Sequence, residues 1–99
     1  MKVISVYGYS KSGKTTTVEC LIKELNRRNY SVGTVKEIHY ESFAIDTEGS
    51  NTHRHWKAGA ELVCARGLYE TDILFKKKLS IPEILKFYAQ DYVILEGVT

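Results

Sequence analysis

Eight residues near the N-terminus, Gly8-Tyr9-Ser10-Lys11-Ser12-Gly13-Lys14-Thr15, fit the pattern G-x-x-x-x-G-K-[ST]. That spacing suits one task, cradling the phosphates of a nucleotide. Successive N–H groups from Ser10 to Thr16 are expected to turn inward around a phosphate. The start of the following helix adds partial positive charge. Gly8 permits a sharp exit from a strand, and Gly13 lets backbone approach phosphate closely. Lys14 is expected to reach the β- and γ-phosphates, and the Thr15 hydroxyl to coordinate Mg²⁺. The expected phosphate-binding set is therefore Gly8, Ser10, Lys11, Ser12, Gly13, Lys14, Thr15 and Thr16. The alternative is a glycine-rich turn with a chance lysine. The apolar run before it and the helical pattern after it argue against that.

A second group lies far away in the sequence. Glu96 follows four apolar or aromatic residues at the end of a strand-like run. A carboxylate there reads as a second anchor for Mg²⁺ or its water shell, or as a plain surface acid. Asp46, with Glu48 near it, sits in a long polar stretch. That stretch can close over a γ-phosphate and hold an attacking water, or it is simply a solvated acidic loop. Lys14, Glu96 and Asp46 are the candidate catalytic residues, and Thr15 and Glu96 the candidate metal ligands. His39, His53 and His55 are the only histidines. His53 and His55 are two apart and point to different sides of a helix, which argues against a transition-metal site. Trp56 reads as a packing anchor rather than a base-stacking platform. No Asn-Lys-x-Asp element occurs, so these residues do not specify the base.

The elements that must position these groups follow from periodicity. Lys2 to Tyr7 reads as a buried strand, and Lys14 to Arg28 as a helix with Val18, Leu21, Ile22 and Leu25 on one face. Asn29 is a left-handed stop for that helix. Ser31 to Lys36 reads as a second strand, parallel to the first after a right-handed crossover. After the polar stretch from Glu37 to Thr52, a short helix His53 to Ala58 is capped by Thr52 or Asn51 and ended by Gly59. Glu61 to Ala65 is a short strand. Tyr69, Thr71, Ile73 and Phe75 alternate along another, with a hairpin between them. Ser80-Ile81-Pro82-Glu83 is a capping box ahead of an apolar face of Ile84, Leu85 and Tyr88. Asp91 to Gly97 is the last strand. The chain stops at Thr99, leaving that strand without the helix that normally covers a parallel strand. Either a partner covers it or the chain is a fragment of a longer protein, and the second is preferred.

Ninety-nine residues make a single nucleotide-binding domain spanning residues 1–99. The net charge of +2, from 14 basic and 12 acidic side chains, is too balanced for a nucleic-acid or membrane surface. Lys76-Lys77-Lys78 reads as a solvated strand end that blunts a sheet edge, or as a phosphate or partner contact. Cys20 and Cys64 have neither C-x-x-C nor zinc spacing and read as buried free thiols, in keeping with a reducing cytoplasm. No signal peptide is expected, because the chain opens directly on a strand. No apolar run approaches the length of about 18 residues needed to cross a bilayer. The expected fold class is α/β, a P-loop NTPase of three layers, α/β/α, around a mostly parallel sheet that is incomplete at the C-terminus.

Together these residues resemble the MobB-type molybdopterin-guanine dinucleotide biosynthesis proteins. The resemblance runs over nearly the whole chain. It rests on the phosphate loop, Val35-Lys36 followed by His39, Phe43-x-Ile45-Asp46-x-x-Gly49, Lys57-Ala58-Gly59-Ala60, and the final Leu95-Glu96-Gly97. The resemblance implies a GTP-binding protein with weak GTPase activity and Mg²⁺ as cofactor. It would assist molybdenum-cofactor assembly as a homodimer, beside a nucleotidyltransferase and a molybdenum-insertion protein. It also implies a switch-like role for Asp46 and the magnesium-side acid for Glu96. The family continues past this point, so the chain resembles its N-terminal portion or a shortened relative. Two rivals share the same loop. A small-molecule kinase would need an acceptor pocket and lid arginines. A metal-delivery GTPase would use His39, His53 or His55. A third reading is a scaffold that binds nucleotide only to set its dimer. Arg54 and Arg66 are the candidates for an arginine finger in cis.

Overall fold

Three short apolar runs meet in one parallel sheet. They are β1 (Lys2–Val6), β2 (Val32–Lys36) and β5 (Tyr92–Glu96), joined in the order β1-β5-β2. The computed structural model describes residues 1–8, 13–40, 42–45 and 47–98. By contacts the chain falls into two compact units, Met1–Tyr40 with Ile84–Thr99, and Glu41–Glu83.

In the first unit β5 lies in the centre although it comes last in sequence. Its register sets Val3 and Gly33 on either side of Val93, and Val6 and Lys36 on either side of Glu96. Val93 and Ile94 are fully buried and Leu95 nearly so. The near-continuous apolar run of β5 is what a strand buried on both faces requires. Its backbone groups are matched on both edges, so the ladder leaves few polar groups to satisfy. The strand that the sequence leaves uncovered is thus the most buried among the described strands, with a neighbour on each edge and the helix after β1 packed on the sheet. β1 and β2 are parallel as expected, but each pairs with β5 rather than with the other.

The helix α1 (Lys14–Arg27) packs on all three strands. Val18 is buried, and Leu21, Ile22 and Leu25 are half-buried on the same stripe. Asn29 takes the left-handed conformation, φ 68°, just past the helix end. Cys20 lies off the apolar stripe and is exposed, against the expectation of a buried thiol. Tyr88 covers the sheet at Gly33. A Cβ at Gly33 would lie 2.5 Å from the Tyr88 ring, and the Tyr88 hydroxyl donates to the Thr34 carbonyl.

The starts of β2 and β5 are clamped together. The Ser31 N–H and hydroxyl donate to the same Asp91 carboxylate oxygen at 2.8 and 3.1 Å, and the Asp91 N–H donates to the Ser31 hydroxyl at 2.8 Å. The Ser31 backbone donor, then its hydroxyl, hold the Asp91 carboxyl below its ordinary range. A carboxyl lowered in the folded state stabilises fully above its unfolded value, about 3.9, and loses that contribution as pH falls through the folded value. Asp91→Asn should therefore lower the thermal midpoint near neutral pH, and its gap to the unchanged chain should close on acidification. A gap independent of pH would show that the clamp does not form.

The second unit holds α2 (Asn51–Lys57) and an antiparallel hairpin of β3 (Leu62–Arg66) and β4 (Thr71–Phe75). Helix α2 starts two residues earlier than the periodicity predicts. Its cap is Ser50, whose hydroxyl accepts from the His53 N–H at 3.2 Å, rather than Asn51 or Thr52. Serine leads threonine as a cap, and capping here satisfies an N–H of the first turn. β4 begins at Thr71, and Tyr69 lies outside it with 99% of its surface exposed. Cys64 faces away from buried Val63 and is exposed, a second correction that strand alternation explains. Trp56, expected as a packing anchor, packs at the surface of this unit. It is 38% exposed, with the ammonium groups of Lys76 and Lys57 at 5.0 and 5.8 Å from its ring centre. That cation–π geometry takes Lys76 out of the solvated run, while Lys77 and Lys78 are exposed. Arg54 and Arg66 are exposed on this unit.

Helix α3 (Ile81–Leu85) opens with the expected reciprocal cap. The Ser80 N–H donates to Glu83 Oε1 at 3.0 Å, and the Glu83 N–H donates to the Ser80 hydroxyl at 3.2 Å. No described helix is long and apolar enough to cross a membrane.

Candidate nucleotide phosphate site

The parallel register brings the ends of β1, β5 and β2 to one side of the sheet, where ligands gather in open α/β folds. There α1 begins. Gly13 precedes it at φ 84°, a left-handed conformation that glycine takes without a steric penalty. A Cβ at Gly13 would meet nothing within 4 Å, so the constraint is conformation and not space. The helix has no side-chain cap and no acidic residue in its first turn. Such a start suits an anion, because its first N–H groups and the helix dipole both point outward. Lys14 reaches back to the end of β1 and donates to the Gly8 carbonyl at 2.9 Å. Tyr9, Ser10, Lys11 and Ser12 lie outside the described residues, and with them the loop expectation for Ser10, Lys11 and Ser12.

An open cavity of about 400 Å³ extends from this helix start. Gly13, Lys14, Thr15 and Thr16 line one side, and Lys36, Glu37, His39, Glu96 and Gly97 the other. Glu96 is 5% exposed at the end of β5. Its Oε2 accepts from the Thr15 hydroxyl at 3.1 Å and from Lys36 Nζ at 2.5 Å. The Lys36 hydrogen bond, then that of Thr15, lower its pKa against the opposing effect of burial, with Lys14 adding a smaller electrostatic share. The carboxyl is therefore an anion at neutral pH. Two residues 81 positions apart, the expected metal pair Thr15 and Glu96, are brought into direct contact. A hydroxyl and a carboxylate are hard oxygen donors, the kind Mg²⁺ takes, and the residues fit that ion.

The chain after β5 turns at Gly97, φ 77°, whose N–H donates to the Val6 carbonyl at 2.7 Å. A Cβ at Gly97 would lie 3.4 Å from His39 Nε2, so His39 stands beside this turn. His53 and His55 belong to the other unit, where Nδ1 of His53 accepts from the Gly49 N–H at 3.2 Å. Among the described residues no group of three or more His, Cys, Asp or Glu side chains could hold a metal. Asp46 lies outside the described residues. Lys36 is the site residue that the sequence alone does not reveal: it ends β2 in register with Glu96, and that register is visible only in the fold.

A family model described as Molybdopterin guanine dinucleotide synthesis protein B matches residues 3–99. The chain is 32% identical over 100 residues to a putative molybdopterin-guanine dinucleotide biosynthesis adapter protein of Methanocaldococcus jannaschii, covering 98% of this chain and 41% of that protein. Its fold matches the crystal structure of Bacillus subtilis MobB with a TM-score of 0.77 at 22% identity, covering 98% of this chain and 61% of that one. A MobB homologue from Bacillus stearothermophilus gives a TM-score of 0.68 at 27% identity, covering 98% of this chain and 56% of that one. The chain thus spans between two fifths and about three fifths of these three relatives. The fold is that of a P-loop NTPase, α/β with a parallel sheet. With a family match over almost every residue and MobB structures as its fold neighbours, the chain belongs to the MobB family of molybdopterin-guanine dinucleotide synthesis proteins.

Proposed function

We propose that the chain is a GTP-binding adapter in molybdenum-cofactor assembly, with slow GTP hydrolysis at most. The observation that carries the nucleotide half is the contact of Thr15 with Glu96 at the edge of the cavity where α1 begins. The adapter half rests on relatives named for molybdopterin-guanine dinucleotide biosynthesis. Guanine as the base rests on that likeness as well.

Bound Mg²⁺ would neutralise charge on the β- and γ-phosphates. Thr15 and Glu96 would hold it from the protein side. The Lys14 ammonium would leave the Gly8 carbonyl for the phosphates, and the uncapped first turn of α1 would donate to the same oxygens. Asp46 would act from the polar loop as a switch-like residue. A homodimer is the proposed assembly, a nucleotidyltransferase and a molybdenum-insertion protein the proposed partners, and the cytoplasm the proposed location. Two exposed free thiols suit a reducing compartment.

The test is assembly of molybdopterin guanine dinucleotide by its nucleotidyltransferase, with and without the chain. Adding the chain with GTP should raise the yield several-fold. An unchanged yield would remove the adapter role. The γ-phosphate of labelled GTP should appear in water, at roughly 10⁻⁴ to 10⁻³ per second without an arginine finger. Glu96→Gln should slow that release by about tenfold or more, through weaker metal holding. Label on a small-molecule acceptor would favour a kinase instead.

A further inference from the structure

Lys36 is the residue in the site that neither the loop pattern nor the acid at the end of β5 accounts for. We propose that Lys36 senses the terminal phosphate: it compensates Glu96 through their ion pair, and passes to the nucleotide when Mg²⁺ takes Glu96. This rests on the phosphate-site reading above. The asymmetry of the pair is its basis. The Glu96 side chain is 6% exposed, whereas that of Lys36 is 58% exposed. A buried carboxylate needs a counter-charge, and Lys36 provides it at 2.5 Å. Glu96 is held by the central strand and by the Thr15 hydroxyl, so the lysine is the member that can leave.

A divalent cation at Thr15 and Glu96 replaces the ammonium's charge twice over and repels it at close range. The displaced stem opens on the same cavity as Lys14 and Thr16. Two anions compete for the ammonium there: the polyphosphate, and Glu37 on the cavity wall. The polyphosphate carries more charge, and a triphosphate extends one group further than a diphosphate. Lys36 therefore reports which of the two is bound, and it competes with Mg²⁺ for Glu96 until one arrives.

Calorimetric titration of the full chain with GTP and with GDP at varied Mg²⁺ tests this, using Lys36→Met, with Lys14→Ala as the loop control. Lys36→Met should weaken GTP by about tenfold, the scale of one charge-assisted hydrogen bond, and leave GDP within about threefold. The Mg²⁺ concentration that half-saturates GDP binding should fall, because the cation no longer competes with an ammonium. Equal weakening of both nucleotides would make Lys36 a structural support of Glu96 and overturn the proposal. Unchanged binding of both would overturn it too, placing the displaced ammonium on Glu37 or in water. An unmodified chain that binds neither nucleotide, or a Lys14→Ala variant that binds as well as it does, would remove the phosphate-site reading and this inference with it. Lys36→Gln gives the same readout should the methionine variant precipitate.

Discussion

Lys14→Ala should weaken Mg²⁺-nucleotide binding by about a hundredfold while leaving the fold nearly as stable as before. Lys14 begins α1 and lines the cavity, and its ammonium donates to the Gly8 carbonyl. The Gly8 carbonyl is a neutral acceptor at an exposed position, and such a bond contributes only about 1 kcal/mol to folding. Against a polyphosphate the same group makes charge-assisted hydrogen bonds to more than one oxygen. Each is worth about 1.5–3 kcal/mol, so losing them costs about two powers of ten in affinity. The check is equilibrium titration of both chains together with their thermal midpoints. Weak binding with an unchanged midpoint is the expected pair of results. A variant that binds normally would mean that the phosphates sit elsewhere.

Ile94→Ala should be the most damaging simple truncation in the described core, at about 3 kcal/mol. Ile94 is 0% exposed in the middle of the central strand, with Ile4 and Thr34 as its neighbours in register. Truncating a buried isoleucine loses its transfer free energy and leaves a cavity that a sheet flanked on both edges cannot easily close. A domain of this size has a total stability of about 5–15 kcal/mol, so the loss is a large share of it. It corresponds to a fall of about 12 °C or more in thermal midpoint. Val3→Ala is the matched control. Val3 is 45% exposed on β1 and should cost less than about 1 kcal/mol. Similar losses at the two positions would contradict the burial described for β5.

Much of this architecture was legible in local pattern. The helix stripe of Val18, Leu21, Ile22 and Leu25, the reciprocal Ser80–Glu83 cap and the stop at Asn29 all depend on residues a few positions apart. Strand order was not legible. Nothing near β5 says that the last strand sits between the first two, in the centre of the sheet where Val93 and Ile94 are buried. The thiols were misread because apolar neighbours in sequence are not neighbours in space. Cys20 falls off the helix stripe, and Cys64 alternates with buried Val63. Trp56 packs against a partner that no local pattern names, since Lys76 comes from beyond the β4 end. In the site, Thr15 and Glu96 were legible by type. Lys36 was not, because its ion pair with Glu96 spans 60 residues and needs the register to be known.

The claim on which the rest depends is that Thr15, Glu96 and the helix start form a site for a nucleotide's phosphates with Mg²⁺. Titrating the unmodified chain calorimetrically with GTP, with and without Mg²⁺, tests it most directly. The account predicts saturable one-to-one binding in the micromolar range that weakens by about tenfold or more when Mg²⁺ is withheld. No heat of binding in either condition, or binding indifferent to Mg²⁺, would contradict it.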